Sequence, residues 1–127
     1  MNLKANPVVL IADDDRINQH LVKTILQSLG YETLLVDNGL AAVEMAIKEN
    51  VQAILMDIEM PSLDGIKAVQ RIREHERKEG GHIPVIAMTN YSDKENREKY
   101  FQSGMDDYLS KPFKPFELAA VLKRLGI

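Results

Sequence analysis

The sequence predicts an α/β fold, in which helices cover both faces of one parallel β-sheet. Short apolar stretches of strand length alternate with helical patterns five times along the 127 residues. Strands that alternate with helices form parallel sheets with covered faces, and their crossovers are right-handed. The length suits one domain, and 45% hydrophobic residues are enough to fill one core.

The first two strand–helix units occupy the amino-terminal part of the predicted domain. Val8–Ala12 is an apolar run of strand length, and residues 31–36 form the second predicted strand. Gly30 ends the first helix, and the second helix ends near Asn50. The apolar residues at helical spacing are Ile17, Leu21, Ile25 and Leu29 in the first helix, and Ala42, Val43, Ala46 and Ile47 in the second.

The third unit and the fourth strand follow the same pattern. Residues 53–56 are a short apolar run and predict a buried strand. A helix follows over residues 65–78. Its apolar face consists of Ile66, Val69 and Ile72. Residues 84–88 form the fourth strand, whose proline lies at its start, where a missing N–H donor is tolerated.

The last two helices flank a short fifth strand. The polar segment Lys94–Ser103 predicts the fourth helix, which Gly104 closes. Asp107–Ser110 is the fifth strand, and residues 115–125 form the final helix. Pro115 stands in its first turn, a position that proline favours.

Composition excludes several classes of protein. The net charge of −3 gives no support for direct binding of nucleic acid. The chain has no cysteine, which excludes disulfides and thiolate metal sites. No apolar run approaches the roughly 20 residues of a membrane span. Residues 1–7 are polar and lack the apolar core of a signal peptide, so we expect a cytoplasmic domain with no membrane insertion.

Polar side chains stand at the ends of four of the five predicted strands. Three aspartates at 13–15 follow the first strand, Asp57 ends the third, Thr89 ends the fourth and Lys111 follows the fifth. Ligands of parallel α/β sheets bind beyond the carboxyl ends of the strands. The sequence therefore predicts that these residues share one site.

Each of these residues also has an ordinary explanation when it is taken alone. The aspartates at 13–15 can cap the first helix, and Asp15 is expected to do so. Asp57 can be a loop acid, Thr89 a cap and Lys111 a surface lysine. Their joint placement favours the shared site, because four independent coincidences would otherwise be needed.

The residue types in this predicted site suit phosphoryl transfer. Asp13, Asp14 and Asp57 would bring about three negative charges together, and such charges resist ionising together. Mg²⁺ relieves this repulsion, because it prefers carboxylate and water oxygens. Lys111 and Thr89 supply a positive charge and a hydroxyl donor for phosphoryl oxygens. A carboxylate that attacks phosphorus becomes an aspartyl phosphate.

Four segments of the chain, VLIADDD, ILMDIEMPSLDG, VIAMT and GMDDYLSKPF, contain the residues of the predicted site. Together they resemble the receiver domains of two-component response regulators and hybrid histidine kinases. The segment GMDDYLSKPF looks most like the receivers of hybrid kinases. The resemblance implies a flavodoxin-like (βα)5 sandwich with strand order 2-1-3-4-5, over a receiver domain at residues 8–127 with an extension at 1–7.

The resemblance also implies a role for each acid of the predicted site. Asp57 corresponds to the phosphoacceptor. Asp14 corresponds to the direct Mg²⁺ ligand, and Asp13 to a second acid that often acts through water. Glu59 would offer its backbone carbonyl to the metal.

The remaining positions of the resemblance belong to the switch. Thr89 and Lys111 correspond to the switch hydroxyl and the phosphate-binding lysine, and Tyr108 to the aromatic switch residue. The bond between Lys111 and Pro112 is expected to be cis. Asn90 stands where a small residue is usual in the family.

Two further residues occupy variable positions of the family pattern. Glu59 and Tyr91 stand at positions that tune dephosphorylation in the family. A charge and a ring at these positions could slow or redirect an attacking water.

The function that the resemblance implies is a phosphorelay switch. A histidine kinase or histidine phosphotransfer domain would donate to Asp57, and a downstream protein would bind the face of helix 4, strand 5 and helix 5. Whether that face also forms a phosphorylation-dependent dimer stays open. The domain would catalyse its own phosphorylation and dephosphorylation without being a multiple-turnover enzyme.

Two alternatives are kept beside the phosphorelay switch. The first is a Mg²⁺-dependent phosphohydrolase that uses the same acids. Phosphatases with an aspartyl nucleophile typically carry a second acid two residues on, and here Glu59 stands there without the rest of their pattern. The second is a degenerate receiver that only docks partners, although every key group is present in the sequence.

Overall fold

The computed structural model describes residues 6–127, so residues 1–5 of the predicted extension lie outside the described residues. Five strands and five helices alternate along the chain. The strands are β1 (Val8–Ala12), β2 (Glu32–Val36), β3 (Ala53–Asp57), β4 (Val85–Thr89) and β5 (Asp107–Ser110). The helices are α1 (Arg16–Ser28), α2 (Gly39–Lys48), α3 (Gly65–Glu79), α4 (Lys94–Ser103) and α5 (Pro115–Arg124).

The strands form one parallel sheet in the order β2-β1-β3-β4-β5, which confirms the predicted fold class. Leu10 of β1 is paired with Leu34 on one side and with Ile54 on the other. Leu55 of β3 is paired with Ile86 of β4. This order places the carboxyl ends of β1 and β3 side by side, with β4 next to β3 and β5 at the sheet edge beyond β4.

Helices cover both faces of the sheet, and each face has its own core. Alternate residues of a strand point to opposite faces. The core beneath α2, α3 and α4 includes Leu10, Ile54, Ala46, Val69, Ile72 and Tyr100. The core beneath α1 and α5 includes Val9, Leu55, Val22, Leu26, Leu118 and Leu122. Among residues 6–127, no helix is both long and apolar enough to cross a membrane.

The helix predicted from Ile17, Leu21, Ile25 and Leu29 is present, but its buried face differs from that stripe. Val22, Ile25 and Leu26 are buried, whereas Ile17 is 83% exposed and Leu21 is 51% exposed. A spacing of four residues drifts by about 40° around the helix at each step. The stripe therefore rotates out of the core on both sides of Ile25.

Element ends differ from the predicted ones by one or two residues. β3 and β4 each extend one residue further than predicted, because Asp57 is paired with Met88 and Thr89 with Ser110 in the sheet. α2 ends at Lys48 rather than near Asn50. Lys94–Ser103 and Asp107–Ser110 are confirmed as α4 and β5.

Candidate functional site

Three aspartates meet at the carboxyl ends of β1 and β3. Asp13 is fully buried, Asp57 is 7% exposed, and Asp14 is exposed. One carboxylate oxygen from each lies within 4.8 Å of the others. Asp57 lines an open cleft of about 520 Å³ together with Asp14, Glu59, Thr89 and Lys111.

The buried Asp13 carboxylate is held by hydrogen bonds from the start of α1. The backbone N–H of Asp15 donates to it at 2.9 Å, and the Asn18 side-chain amide donates to its other oxygen. The Gln19 side-chain amide donates to the Asp13 backbone carbonyl at 2.5 Å. Asp15 caps α1, as expected, by accepting a hydrogen bond from the N–H of Ile17.

Sequence reasoning missed the role of Asn18 and Gln19 in supporting the site. Both residues lie in the first turn of α1, one helical turn beyond the three aspartates. Amides are unremarkable on a solvated helix face, so their residue types alone carry no signal. Their distance from Asp13, only five and six positions, was the available clue.

Lys111 brings a positive charge to the acidic cluster. Its Nζ lies 3.2 Å from Asp57 Oδ1 and 3.6 Å from Asp13 Oδ2. The Lys111–Pro112 peptide bond is cis, as expected. Lys111 follows β5, and its backbone N–H donates to the Thr89 carbonyl at 2.7 Å. The predicted lysine therefore contacts the predicted phosphoacceptor.

The Asp57 carboxyl group titrates above its ordinary range. Burial raises the pKa of Asp57 to about 6, although the Lys111 ammonium lowers it, and the Asp13 carboxylate raises it further. The N–H of Glu59 also approaches Asp57 Oδ1, at 3.4 Å. A buried carboxyl group that lies beside a second acid, as Asp57 lies beside Asp13, is a setting in which a bound cation stabilises the charged form.

Gly65, the first residue of α3, allows close approach to the backbone of Asp57. A Cβ atom at this position would lie 2.3 Å from the Asp57 carbonyl oxygen. The Gly65 N–H donates to the Ile58 carbonyl at 2.9 Å, which closes the loop that follows β3. Glycine is thus the residue that fits at this point.

Thr89 is buried at the end of β4, and its hydroxyl group forms a hydrogen bond with a residue of α4. Its Oγ1 lies 2.7 Å from the hydroxyl of Tyr100. It also accepts a hydrogen bond from the N–H of Tyr91 at 2.8 Å. Among residues 6–127, no hydrogen bond joins this hydroxyl to Asp57. Thr89 therefore lines the predicted cleft but is not bonded to the phosphoacceptor.

Tyr108 is half-buried on β5, apart from the cleft, and its contacts are with α4. The Arg97 guanidinium lies 5.8 Å from the centre of its ring and also reaches its hydroxyl at 3.3 Å. The ring of Phe101 meets it edge-on at 6.4 Å. The two predicted switch residues thus both contact α4.

The donor set at the cleft fits Mg²⁺. Asp13, Asp14 and Asp57 offer hard carboxylate oxygens within 4.8 Å of one another, the kind of oxygen donors that Mg²⁺ prefers. Asp14 is exposed, so a cation there keeps access to water ligands, as Mg²⁺ prefers. Glu59, the source of the predicted carbonyl ligand, lines the same cleft.

Known proteins resemble this chain over almost its whole length. The family model of the response regulator receiver domain matches residues 9–123. A hybrid signal transduction histidine kinase of Dictyostelium discoideum is 41% identical over 119 residues. That match covers 90% of this chain but only 7% of the kinase, so the chain corresponds to a small part of that relative.

Solved structures give the same result in three dimensions. The receiver domain of a sensor histidine kinase from Pseudomonas aeruginosa, with a magnesium ion in its active site cleft, is 42% identical with a TM-score of 0.85. The comparison covers 94% of this chain and 97% of that one.

A second solved structure is a complex of a histidine phosphotransfer signaling protein of Saccharomyces cerevisiae with the receiver domain of its downstream response regulator. It is 28% identical with a TM-score of 0.90, over 98% of this chain and 92% of that chain. The chain therefore belongs to the response regulator receiver domain family, the signalling domains of two-component and phosphorelay systems.

Proposed function

We propose that this receiver domain accepts a phosphoryl group on Asp57 from a phosphohistidine and thereby switches its binding to a partner. The observation that carries the proposal is the contact between Asp57 and Lys111, at 3.2 Å, beside the carboxylates of Asp13 and Asp14. A nucleophile, a phosphate-binding cation and a cation-binding pair of acids thus share one cleft.

The proposed transfer replaces a phosphorus–nitrogen bond with a phosphorus–oxygen bond. A carboxylate oxygen of Asp57 attacks the phosphorus, and the electron pair of the broken bond returns to the histidine nitrogen. Lys111 neutralises charge on the phosphoryl oxygens as they approach. Hydrogen bonds from Asp15 and Asn18 hold the Asp13 carboxylate in place beside Asp57, so the acids of the site need little rearrangement.

A bound Mg²⁺ would neutralise charge on both the carboxylates and the phosphoryl group. We assign its ligands to Asp14, Asp57 and the backbone carbonyl of Glu59, with Asp13 acting through water. The magnesium ion in the active site cleft of the Pseudomonas aeruginosa receiver domain supports this assignment.

The proposed donor is a histidine kinase or a histidine phosphotransfer domain. The complex of the yeast phosphotransfer protein with a receiver domain supports this class of partner. The domain that performs the chemistry is assigned to residues 8–127, because β1 begins at Val8 and the family match begins at residue 9. Residues 1–7 would then be an extension.

The proposed output is a change of the surface formed by α4, β5 and α5. A phosphoryl group on Asp57 attracts the Thr89 hydroxyl, and Tyr108 then moves into the space near Thr89. Turning a 1:99 equilibrium into 99:1 takes about 5.5 kcal/mol of differential interaction. Contacts of a doubly charged group with Lys111, Thr89 and a cation can supply much of that.

Binding of beryllofluoride, which mimics an aspartyl phosphate, tests the proposed site. Fluorine NMR of the protein with beryllofluoride should show a bound signal only when Mg²⁺ is present. Asp57→Asn should abolish that signal, whereas Asp64→Asn, which alters a helix cap outside the acidic cluster, should keep it. Equal binding by Asp57→Asn, or no binding by the parent chain, would contradict the proposal.

Turnover separates a receiver from a phosphohydrolase. A receiver should release at most a few molecules of product per chain from a phosphomonoester. Many turnovers that depend on Mg²⁺ and on Asp57 would instead indicate the phosphohydrolase.

A further inference from the structure

Tyr100 joins α4 to the Thr89 hydroxyl. It is only 2% exposed, although α4 is mostly polar and buries just one other residue, Ser103. Its hydroxyl lies 2.7 Å from Thr89 Oγ1 and donates to the Tyr91 carbonyl at 2.8 Å. A buried tyrosine hydroxyl usually has a partner, and here its partners are the switch residue and the loop that follows it.

The contacts with Tyr91 and Tyr100 engage the single proton of the Thr89 hydroxyl. Its oxygen accepts from the Tyr91 N–H at 2.8 Å. Its single proton goes either to the Tyr100 hydroxyl or to the Tyr91 carbonyl, which lies 3.2 Å away. Thr89 therefore has no proton left for a phosphoryl oxygen while these bonds persist.

We propose that the Tyr100 hydroxyl is a latch that holds Thr89 in its resting position, so that phosphoryl binding at Asp57 must first break this contact. Tyr100 is thus a positioning residue for the switch, and it does not touch the reacting atoms. The inference rests on the proposed function, because the latch competes with the phosphoryl group for the same hydroxyl.

The latch also links the phosphorylation site to the proposed output surface. Tyr100 is the largest buried side chain of α4, while Arg97 and Phe101 of the same helix contact Tyr108. Release of Thr89 removes a contact from a helix with few buried anchors, and such elements shift most easily. One helix therefore holds both switch side chains in the resting state.

Removal of one oxygen atom tests the latch. Tyr100→Phe keeps the ring in the core and deletes the hydroxyl. Since the resting state loses a hydrogen bond that the bound state has already broken, the variant should bind beryllofluoride about threefold to tenfold more tightly. Fluorine NMR titration at saturating Mg²⁺ measures this affinity, and a thermal melt checks that the variant is folded.

A matched tyrosine provides the control for this substitution. The Tyr31 hydroxyl donates to the Ile127 carbonyl at 2.8 Å, at the other end of the molecule. Tyr31→Phe should therefore leave beryllofluoride affinity unchanged. A general loosening of the fold would lower affinity in both variants, whereas the latch predicts a gain in Tyr100→Phe alone.

A double-mutant cycle shows whether the effect passes through Thr89. Thr89→Val removes the hydroxyl that the latch holds, so Tyr100→Phe should change affinity in the parent chain but not in Thr89→Val. An equal gain in both backgrounds would overturn the latch, since the effect would then pass through the Tyr91 loop. Unchanged or weaker binding by Tyr100→Phe would overturn it as well.

Failure of the latch and failure of the proposed function give different results. If the parent chain binds beryllofluoride but Tyr100→Phe gains nothing, only the latch is wrong. If neither the parent chain nor any variant binds it in the presence of Mg²⁺, both the proposed function and the latch are wrong.

Discussion

Asp57 is ionised at neutral pH in a place that disfavours its charge. Burial and the neighbouring Asp13 raise its pKa, and the Lys111 ammonium offsets only part of that effect. The folded protein therefore holds the ionised form less favourably than the unfolded chain does. A nucleophile that is poorly solvated in this way reacts readily once a cation and a phosphoryl group arrive.

Asp57→Asn should stabilise the domain at pH 7 in the absence of Mg²⁺. A rise of the pKa from 3.8 to about 6 corresponds to at most about 3 kcal/mol, and the open cleft screens part of it, so we expect about 1 kcal/mol. Between about pH 4 and pH 6 the folded parent chain binds more protons than the unfolded chain, so its stability falls as pH rises.

Urea unfolding of both proteins from pH 4 to pH 8 measures this effect. The advantage of Asp57→Asn should be smallest near pH 4 and complete above pH 6. An advantage that does not change with pH, or a variant less stable than the parent chain at pH 7, would show that the Asp57 charge is not strained.

Lys111→Met should weaken beryllofluoride binding at saturating Mg²⁺ by about tenfold to a hundredfold. The lysine lies 3.2 Å from Asp57 Oδ1, and a hydrogen bond to a charged group contributes about 1.5–3 kcal/mol. Lys123→Met, at an exposed position of α5, is the matched control and should bind as the parent chain does. An equal loss of beryllofluoride affinity in both variants would contradict the assignment of Lys111 as the phosphate-binding residue.

At the scale of elements, the sequence predicts which helices and strands form, and in what order, better than it predicts which side chains each of them buries. All ten helices and strands were predictable, because apolar runs and helical spacing are local properties of the chain. The buried face of α1 was not predictable from its stripe, because Ile17 and Val22 are equally apolar and only the packed sheet decides which is covered.

Gly65 shows how the start of α3 supports the site. A Cβ atom there would overlap the Asp57 carbonyl oxygen at 2.3 Å. Gly65→Ala should therefore lower the free energy of unfolding by about 1–3 kcal/mol and weaken beryllofluoride binding, because the backbone of the phosphoacceptor must move. Denaturant unfolding and fluorine NMR measure the two effects, and a gain in stability, as for an ordinary helical glycine, would contradict this.

The amino-terminal ends of β4 and β5, away from the site, are held together by the Asp106 carboxylate. Its Oδ2 accepts hydrogen bonds from Arg73 and from the N–H of Val85, both at 2.8 Å, and so joins α3, β4 and the start of β5. Arg73 also donates to the Gly104 carbonyl at 3.0 Å. These partners lie 21 or more positions away from Asp106 in the chain, which is why sequence patterns did not reveal the network.

Asp106→Ala should destabilise the domain by about 2–3 kcal/mol, because it removes one of the two carboxylates that pair with Arg73 and leaves the Val85 N–H without its acceptor. Asp107→Ala is the control, since the Arg124 that pairs with Asp107 is 59% exposed and such a pair contributes less than about 1 kcal/mol. Urea unfolding compares the two, and equal losses would contradict the network.

At the scale of the whole molecule, the strand order creates the site. β1 and β3 are neighbours, so aspartates that are 43 and 44 positions apart in the sequence meet at one edge, and the loop after β5 brings Lys111 to them. This much follows from a parallel sheet and polar strand ends. The orientation of Thr89 does not, because it depends on the packing of Tyr100 from α4.

The intact mass of the protein after incubation with a small phosphodonor and Mg²⁺ tests the central claim most directly. The account predicts one added phosphoryl group on the parent chain, none when Mg²⁺ is chelated, and none on Asp57→Asn. A phosphoryl group that still forms on Asp57→Asn, or that forms equally well without Mg²⁺, would contradict the account.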